Sequence, residues 1–179
     1  TGFRWDLKGA QNLFNIKPDI STFGKAMANG FSLSAVGGKR KIMEQASLED
    51  SKKNNFFFLS STHGSEMVSL NAFIETLNFY KKNNVIEKNK EYGEKLIKKF
   101  NKISDELDLL DIIKMDGLPC SPYINYNYKN ENFKLKTFYQ QEIIKKNIII
   151  PWISISYKHG EKELNQTLNA SYESLKKIK

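Results

Sequence analysis

The stretch from Pro18 to Gly38 constrains this chain more than any other. A short segment of strand type, Ile20 to Phe23, follows the turn signal Pro18-Asp19 and stops at Gly24. Beyond it lie Ala26, Ala28, Gly30, Ser32, Ser34, Ala35, Gly37 and Gly38, which carry almost no side chain. Such a stretch lets the backbone approach a ligand closely. The pattern predicts a brief buried strand over 20–23, a second short strand over 34–37, and a short helix over 39–45. It has the look of strand, glycine-rich loop and helix in a larger open sheet.

Downstream the pattern changes. Phe56 to Leu59 is an apolar run of strand length that ends in Ser60-Ser61-Thr62-His63-Gly64, and a helix is expected from about Ser65 to Lys82. The clearest period lies near 85–107, where Val85, Ile86, Tyr92, Leu96, Ile97, Phe100, Ile103 and Leu107 share one helical face opposite Lys and Glu. From residue 109 the expected order is strand (109–114), a turn at Asp116-Gly117, strand (123–128), helix (133–146), two short strands (148–150 and 153–157) and a closing helix (161–178). That order suits a small α/β layer with helices on one face of a sheet.

Composition narrows the function. The 179 residues hold 40% hydrophobic side chains, enough for a packed core, and a formal net charge of +8. The charge comes from 26 lysines spread along the chain and only two arginines, Arg4 and Arg40. Readers of nucleic acid use arginine forks and exposed aromatic platforms; neither is visible, so no nucleic-acid partner is expected. Cys120 is the single cysteine, which leaves no disulfide framework and no metal-ligand cluster. No apolar run reaches membrane-spanning length, and there is no signal-peptide pattern, so a cytoplasmic protein without a membrane partner is expected.

Two places could carry chemistry. Lys25 stands where the chain leaves the first strand, and ligand crevices in open α/β sheets lie beyond such strand ends. A lysine desolvated there offers a neutral amine for a Schiff base, whereas an ordinary surface lysine is the plainer alternative. The second place is Ser60 to Glu66. Hydroxyls and free backbone N–H groups before a helix form a phosphate site, or simply an N-cap by Ser61 or Thr62. Arg4 and Arg40 are expected in structural ion pairs, and His63 as a polar loop residue.

Thr1-Gly2-Phe3-Arg4, Gly9-Ala10-Gln11, Pro18-Asp19, Gly24-Lys25, Gly30, Ala35 to Gly38 and Arg40 to Met43 come in order at one spacing. Together they resemble the cofactor-lysine region of class III aminotransferases, including the glutamate-1-semialdehyde aminomutases. The resemblance implies α/β architecture of the pyridoxal 5'-phosphate (PLP)-dependent transferase fold type I. Residues 1–84 would be the C-terminal part of the large domain, and 85–179 the small C-terminal α/β domain with its linking helix. It implies PLP on Lys25 through a Schiff base, and Thr62 at the PLP phosphate of a neighbouring subunit in a homodimer. Transfer of an amino group between small amino and keto substrates is the implied activity. Racemase or decarboxylase chemistry on the same fold, and a basic non-catalytic module, are the alternatives. Thr62-His63-Gly64-Ser65-Glu66 is closer to the aminotransferases than to the aminomutases. The family's pyridine-pairing aspartate, same-subunit phosphate loop and stacking aromatic would all lie before Thr1, so this length of chain is expected to show little activity alone. No arginine follows Arg40, and the substrate carboxylate has no assigned partner.

Overall fold

The computed structural model describes residues 5–46, 62–64 and 66–178. The chain divides into two compact units, Thr1–Ile86 and Glu87–Lys179. The strand expected at Phe56 to Leu59 lies outside the described residues.

In the first unit, α1 (Ala10–Leu13) precedes β1 (Ile20–Phe23), which pairs antiparallel with β2 (Ala35–Gly38) in the register Ile20↔Gly38 to Phe23↔Ala35. α2 (Arg40–Met43) follows, and α3 (Met67–Asn83) ends at Asn84, which takes a left-handed φ of 48°. Ser21 Oγ donates to Gln11 Oε1 at 2.7 Å, tying α1 to β1. The far end of the ribbon is closed by Lys39 N–H donating to Asp19 O at 2.9 Å and by a Lys39–Asp19 ion pair. β1 is not the buried strand expected. Ile20 is 48% exposed, and no residue of β1 is fully buried. A two-stranded ribbon cannot bury both of its faces by itself.

The second unit is built differently. α4 (Val85–Glu106) continues into it and packs on a hairpin of β3 (Ile113–Leu118) and β4 (Ser121–Tyr126), with α5 (Asn132–Ile144) and α6 (Glu161–Leu175) completing the core. Phe100, Ile113, Tyr139, Ile143, Leu164 and Leu175 are fully buried. The Phe100 and Tyr139 rings meet edge to face at 6.3 Å. At Gly93, α4 approaches the hairpin turn so closely that a Cβ would lie 1.7 Å from Pro119 O.

The free edge of β3 is closed by side chains. Asn101 Nδ2 donates to Met115 O at 2.8 Å, and Met115 N–H donates to Asn101 Oδ1 at 2.7 Å. Ser104 Oγ donates to Ile113 O one turn along. One asparagine thus satisfies both backbone groups that a third strand would otherwise pair.

Three expectations are corrected here. The first strand begins at Ile113 rather than Leu109, because the chain after α4 makes a tight turn: Leu109 N–H donates to Ser104 O and Ile113 N–H to Leu109 O, each at 2.8 Å. Asp116 and Gly117 pair with Tyr123 and Pro122 inside the hairpin, whose turn is Pro119-Cys120. Residues 148–150 and 153–157 form no strand, since the edge of β3 is already taken. Their isoleucines pack by side chain instead, with Ile155 buried at 5% exposure and Ile149 left 77% exposed.

Glu142 on α5 is buried, and its carboxylate accepts hydrogen bonds from both Lys145 and Lys177, the latter joining α5 to the end of α6. These bonds, first Lys145 and then Lys177, hold the carboxyl below the usual carboxylate range. A carboxyl whose folded pKa is depressed stabilises the fold at neutral pH, and that contribution disappears as pH falls through the folded value. Glu142→Gln is therefore expected to lower Tm at about pH 7 and to lower it less at about pH 3 in thermal denaturation. Equal Tm values at both pH values would show that the clasp does not stabilise the unit.

Candidate functional site

β1 ends at Phe23, and Gly24 continues it in extended backbone (φ −174°, ψ −151°). The next residue, Lys25, has φ 48° and opens a 3-10 turn, Lys25–Met27, closed by Met27 N–H donating to Gly24 O at 3.1 Å. A left-handed conformation costs an ordinary L-residue about 1–2 kcal/mol. Met27 and Ala28 are buried, and α3 packs on this turn, so a buried footing holds the unfavourable backbone in place. The Lys25 side chain is exposed and makes no hydrogen bond or ion pair with another described residue. The expected desolvation of its amine is thus not supplied by the described residues, because the ribbon presents Lys25 at its end with its faces open.

Beside β1 lies a cavity of about 280 Å³, lined by Gly9, Gln11, Phe14, Pro18, Thr22 and Gly24 among others. Its wall includes the residue immediately before Lys25. Close backbone approach is real at the other end of the ribbon, where a Cβ on Gly38 would lie 2.6 Å from Asp19 O and 3.3 Å from Ile20 Cα. Asn29 (φ 48°) and Gly30 (φ 112°) turn the chain back toward β2. Sequence reasoning did not single out this turn, although an Asn-Gly pair is a turn signal.

Thr62 lies in an exposed turn, 62–64, and α3 begins only at Met67. The N-cap is Glu66, so Thr62 is not a cap; Ser61, Ser65 and Arg4 lie outside the described residues. The reason is local. Glu66 sits at the helix start, where a carboxylate interacts favourably with the macrodipole, and it meets His63 Nδ1 at 3.4 Å and Ser69 Oγ at 3.3 Å. The partial positive charge of this helix end is therefore partly answered by the chain's own carboxylate. Arg40 pairs with Glu44 at 3.3 Å, the structural ion pair expected of it. Among the described residues, no cluster of three His, Cys, Asp or Glu side chains is placed to hold a metal ion.

The fold is that of known transaminases. The omega-transaminase from Sphaerobacter thermophilus superposes with a TM-score of 0.84 at 16% identity, over 97% of this chain and 42% of its own. The FumI protein of Sphingopyxis sp. MTA144, solved in its PLP internal aldimine form, gives 0.84 at 22% identity, over 99% of this chain and 41% of its own. Sequence goes further than fold. The family model described as aminotransferase class-III matches residues 5–148, and the chain belongs to that family. It is 33% identical to the 3-aminobutyryl-CoA aminotransferase of Cloacimonas acidaminovorans (strain Evry), over all of this chain and 42% of that protein. It is also 33% identical to the glutamate-1-semialdehyde 2,1-aminomutase of Nitrosopumilus maritimus (strain SCM1), covering 44% of that protein. The chain thus spans less than half the length of the curated relatives it matches.

The tight backbone contact at Gly38 gives a direct test of how the Lys25 turn is held. Gly38→Ala is expected to push β2 off β1 and to cost about 1–3 kcal/mol, as overpacking does. Hydrogen exchange should then quicken in residues 19–24 and 35–39 and stay unchanged in α4 to α6. Unchanged exchange in the ribbon would show that the contact does not secure the strand carrying Lys25.

Proposed function

We propose that this chain holds PLP on Lys25 and serves amino-group transfer between a small amino compound and a keto or aldehyde acceptor, as part of a longer polypeptide. The observation that carries the proposal is the state of Lys25. It is the residue after the end of β1, held in a left-handed conformation by buried neighbours, and its amine is uncommitted among the described residues. Strain of this kind clusters at functional sites. The amine, the small residues around it and an exposed hydroxyl at Thr62 fit the covalent and phosphate contacts that the group requires. Family membership supports the same reading.

Bound there, PLP would supply an electron sink for negative charge at the substrate carbon. The chain's own work is orientation and proton movement. Lys25 Nζ would anchor the group and, once freed by substrate, carry a proton between neighbouring carbons. Gly24 would let the backbone pass close beneath it. The Thr62 hydroxyl would donate to a phosphate oxygen, across the interface of a homodimer. The walls that dry the amine would come from the part of the relatives' length that this chain does not span. On this reading residues 1–84 belong to the large domain of such an enzyme, residues 85–179 form the small domain, and the whole is cytoplasmic. No helix among the described residues is long and apolar enough to cross a membrane. Relatives at equal identity include an aminotransferase and an aminomutase, so the proposal covers both outcomes of amino transfer.

The test uses the longest gene product that contains this chain, loaded with PLP, with a panel of amino donors. Lys25→Ala is expected to lower kcat by about 10²–10⁴-fold, the usual worth of a positioned proton carrier. Thr62→Ala is expected to weaken PLP binding by about tenfold or more, the loss of one hydrogen bond to a charged group, with kcat largely kept at saturating PLP. Full activity in Lys25→Ala would overturn the proposal.

A further inference from the structure

We propose that Asn29-Gly30 is a self-modifying site, where the backbone nitrogen of Gly30 displaces the Asn29 side-chain amide and water completes a spontaneous deamidation. The proposal concerns the turn itself and holds whether or not Lys25 carries PLP.

The reaction needs a side-chain amide without a partner, a following backbone nitrogen free to attack, and no side chain to obstruct it. Gly30 N bonds to Asn29 Cγ as the Cγ–Nδ2 bond breaks. Nδ2 leaves as ammonia, taking the proton that Gly30 N gives up. Water then opens the imide ring. Addition at Cγ leaves aspartate, and addition at the main-chain carbonyl leaves isoaspartate, with one extra carbon in the backbone. Nothing is oxidised or reduced, and water is the co-reactant.

The turn meets these demands. Asn29-Gly30 is the single Asn-Gly pair in the sequence. Both residues are exposed, and neither the Asn29 side chain nor the Gly30 N–H makes a hydrogen bond with another described residue. A Cβ built on Gly30 would meet nothing within 4 Å, so the space beside its nitrogen is open. Attack requires Asn29 to leave its left-handed φ of 48°, and glycine's backbone freedom lets the next residue follow. The hydrogen bond that closes the turn, Phe31 N–H donating to Ala28 O, is long at 3.3 Å and therefore weak.

The same backbone elsewhere lacks this combination. Among the described residues, four other asparagines are left-handed: Asn15, Asn84, Asn130 and Asn147. Each precedes a residue whose side chain crowds the attacking nitrogen, namely Ile16, Val85, Glu131 and Ile148. In three of them that nitrogen is also committed: Ile16 N–H donates to Gln11 O at 2.8 Å, Glu131 N–H to Tyr128 O at 2.6 Å, and Ile148 N–H to Ile143 O at 3.2 Å. Asp116-Gly117 could form the same imide, but it is held in the β3–β4 ladder, with Gly117 N–H donating to Asp116 Oδ1 at 2.8 Å.

The location gives the change a consequence. Asn29 joins the buried Met27-Ala28 footing to the chain that leads into β2. Deamidation places a negative charge there, and isoaspartate lengthens the backbone between the Lys25–Met27 turn and β2.

The experiment incubates the longest gene product containing this chain in mildly alkaline buffer, folded and, in parallel, in urea. Peptides are mapped over time by mass spectrometry, with aspartate and isoaspartate separated by chromatography. Asn29 should convert first among the asparagines, with isoaspartate as well as aspartate in its peptide. Its rate in the folded protein should lie within about tenfold of the rate in urea, the most that one turn hydrogen bond should slow it. Converted protein should exchange amide hydrogens faster than fresh protein in residues 27–31 and 35–38. An amide retained at Asn29 in the folded protein, or another asparagine reacting first, would overturn the site. Unchanged exchange in fully converted protein would overturn its consequence for the turn.

Discussion

A sheet of two strands leaves two edges of unpaired backbone and two faces that cannot both be buried, and each unit of this chain contains one. The second unit meets that demand from its own sequence. Asn101 and Ser104 answer the backbone edge of β3, and α4, α5 and α6 cover its apolar residues down to full burial at Phe100, Ile113 and Tyr139. Among its described residues, the first unit does not. Its ribbon keeps Ile20 and Val36 exposed, and α3 exposes Met67, Val68 and Ile74. Exposed apolar surface on this scale marks a surface made to be covered. The same openness that leaves the ribbon bare leaves the end of β1 accessible.

That accessibility is where structure meets function. Lys25 is not placed by a charge partner but by backbone: a glycine-permitted ribbon on one side, a buried Met27-Ala28 footing on the other, and a left-handed φ between them. On the proposed reading, an amine that makes no hydrogen bond or ion pair with another described residue is more available for covalent chemistry than a paired surface lysine, such as Lys39 on Asp19 or Lys95 on Glu161. The difference lies in what surrounds the amine, not in the residue type.

Much of this was legible in the sequence. The stripe from Val85 to Leu107 located α4 closely, because a helix that packs on one face must repeat apolar residues near 3.6. The small-residue run after Gly24 located β2, and family motifs pick out Lys25 among 26 lysines as the candidate for the proposed chemistry, where periodicity could not. The failures have physical causes. Ile148 to Ile150 reads as a strand by residue type, but Asn101 occupies the edge such a strand would need, and no local pattern reveals a side chain competing for a backbone edge from α4. Ile20 to Phe23 reads as a buried strand from its place between the Pro18-Asp19 turn and Gly24, yet burial depends on a covering layer that its own residues do not encode. Thr62 was displaced from the helix start by Glu66, whose charge suits that position on grounds of dipole rather than hydroxyl capping.

The claim at the centre is that one amine among many is set apart by its position, and selective covalent trapping measures this directly. The longest gene product containing this chain is treated with substoichiometric PLP, reduced with borohydride, digested and mapped by mass spectrometry. The account expects the phosphopyridoxyl adduct on Lys25 in clear excess over every other lysine, with labelling lost from that peptide in Lys25→Arg and not transferred to one neighbour. Adducts distributed over the exposed lysines of α4 and α6, with Lys25 no more modified than they are, would contradict it.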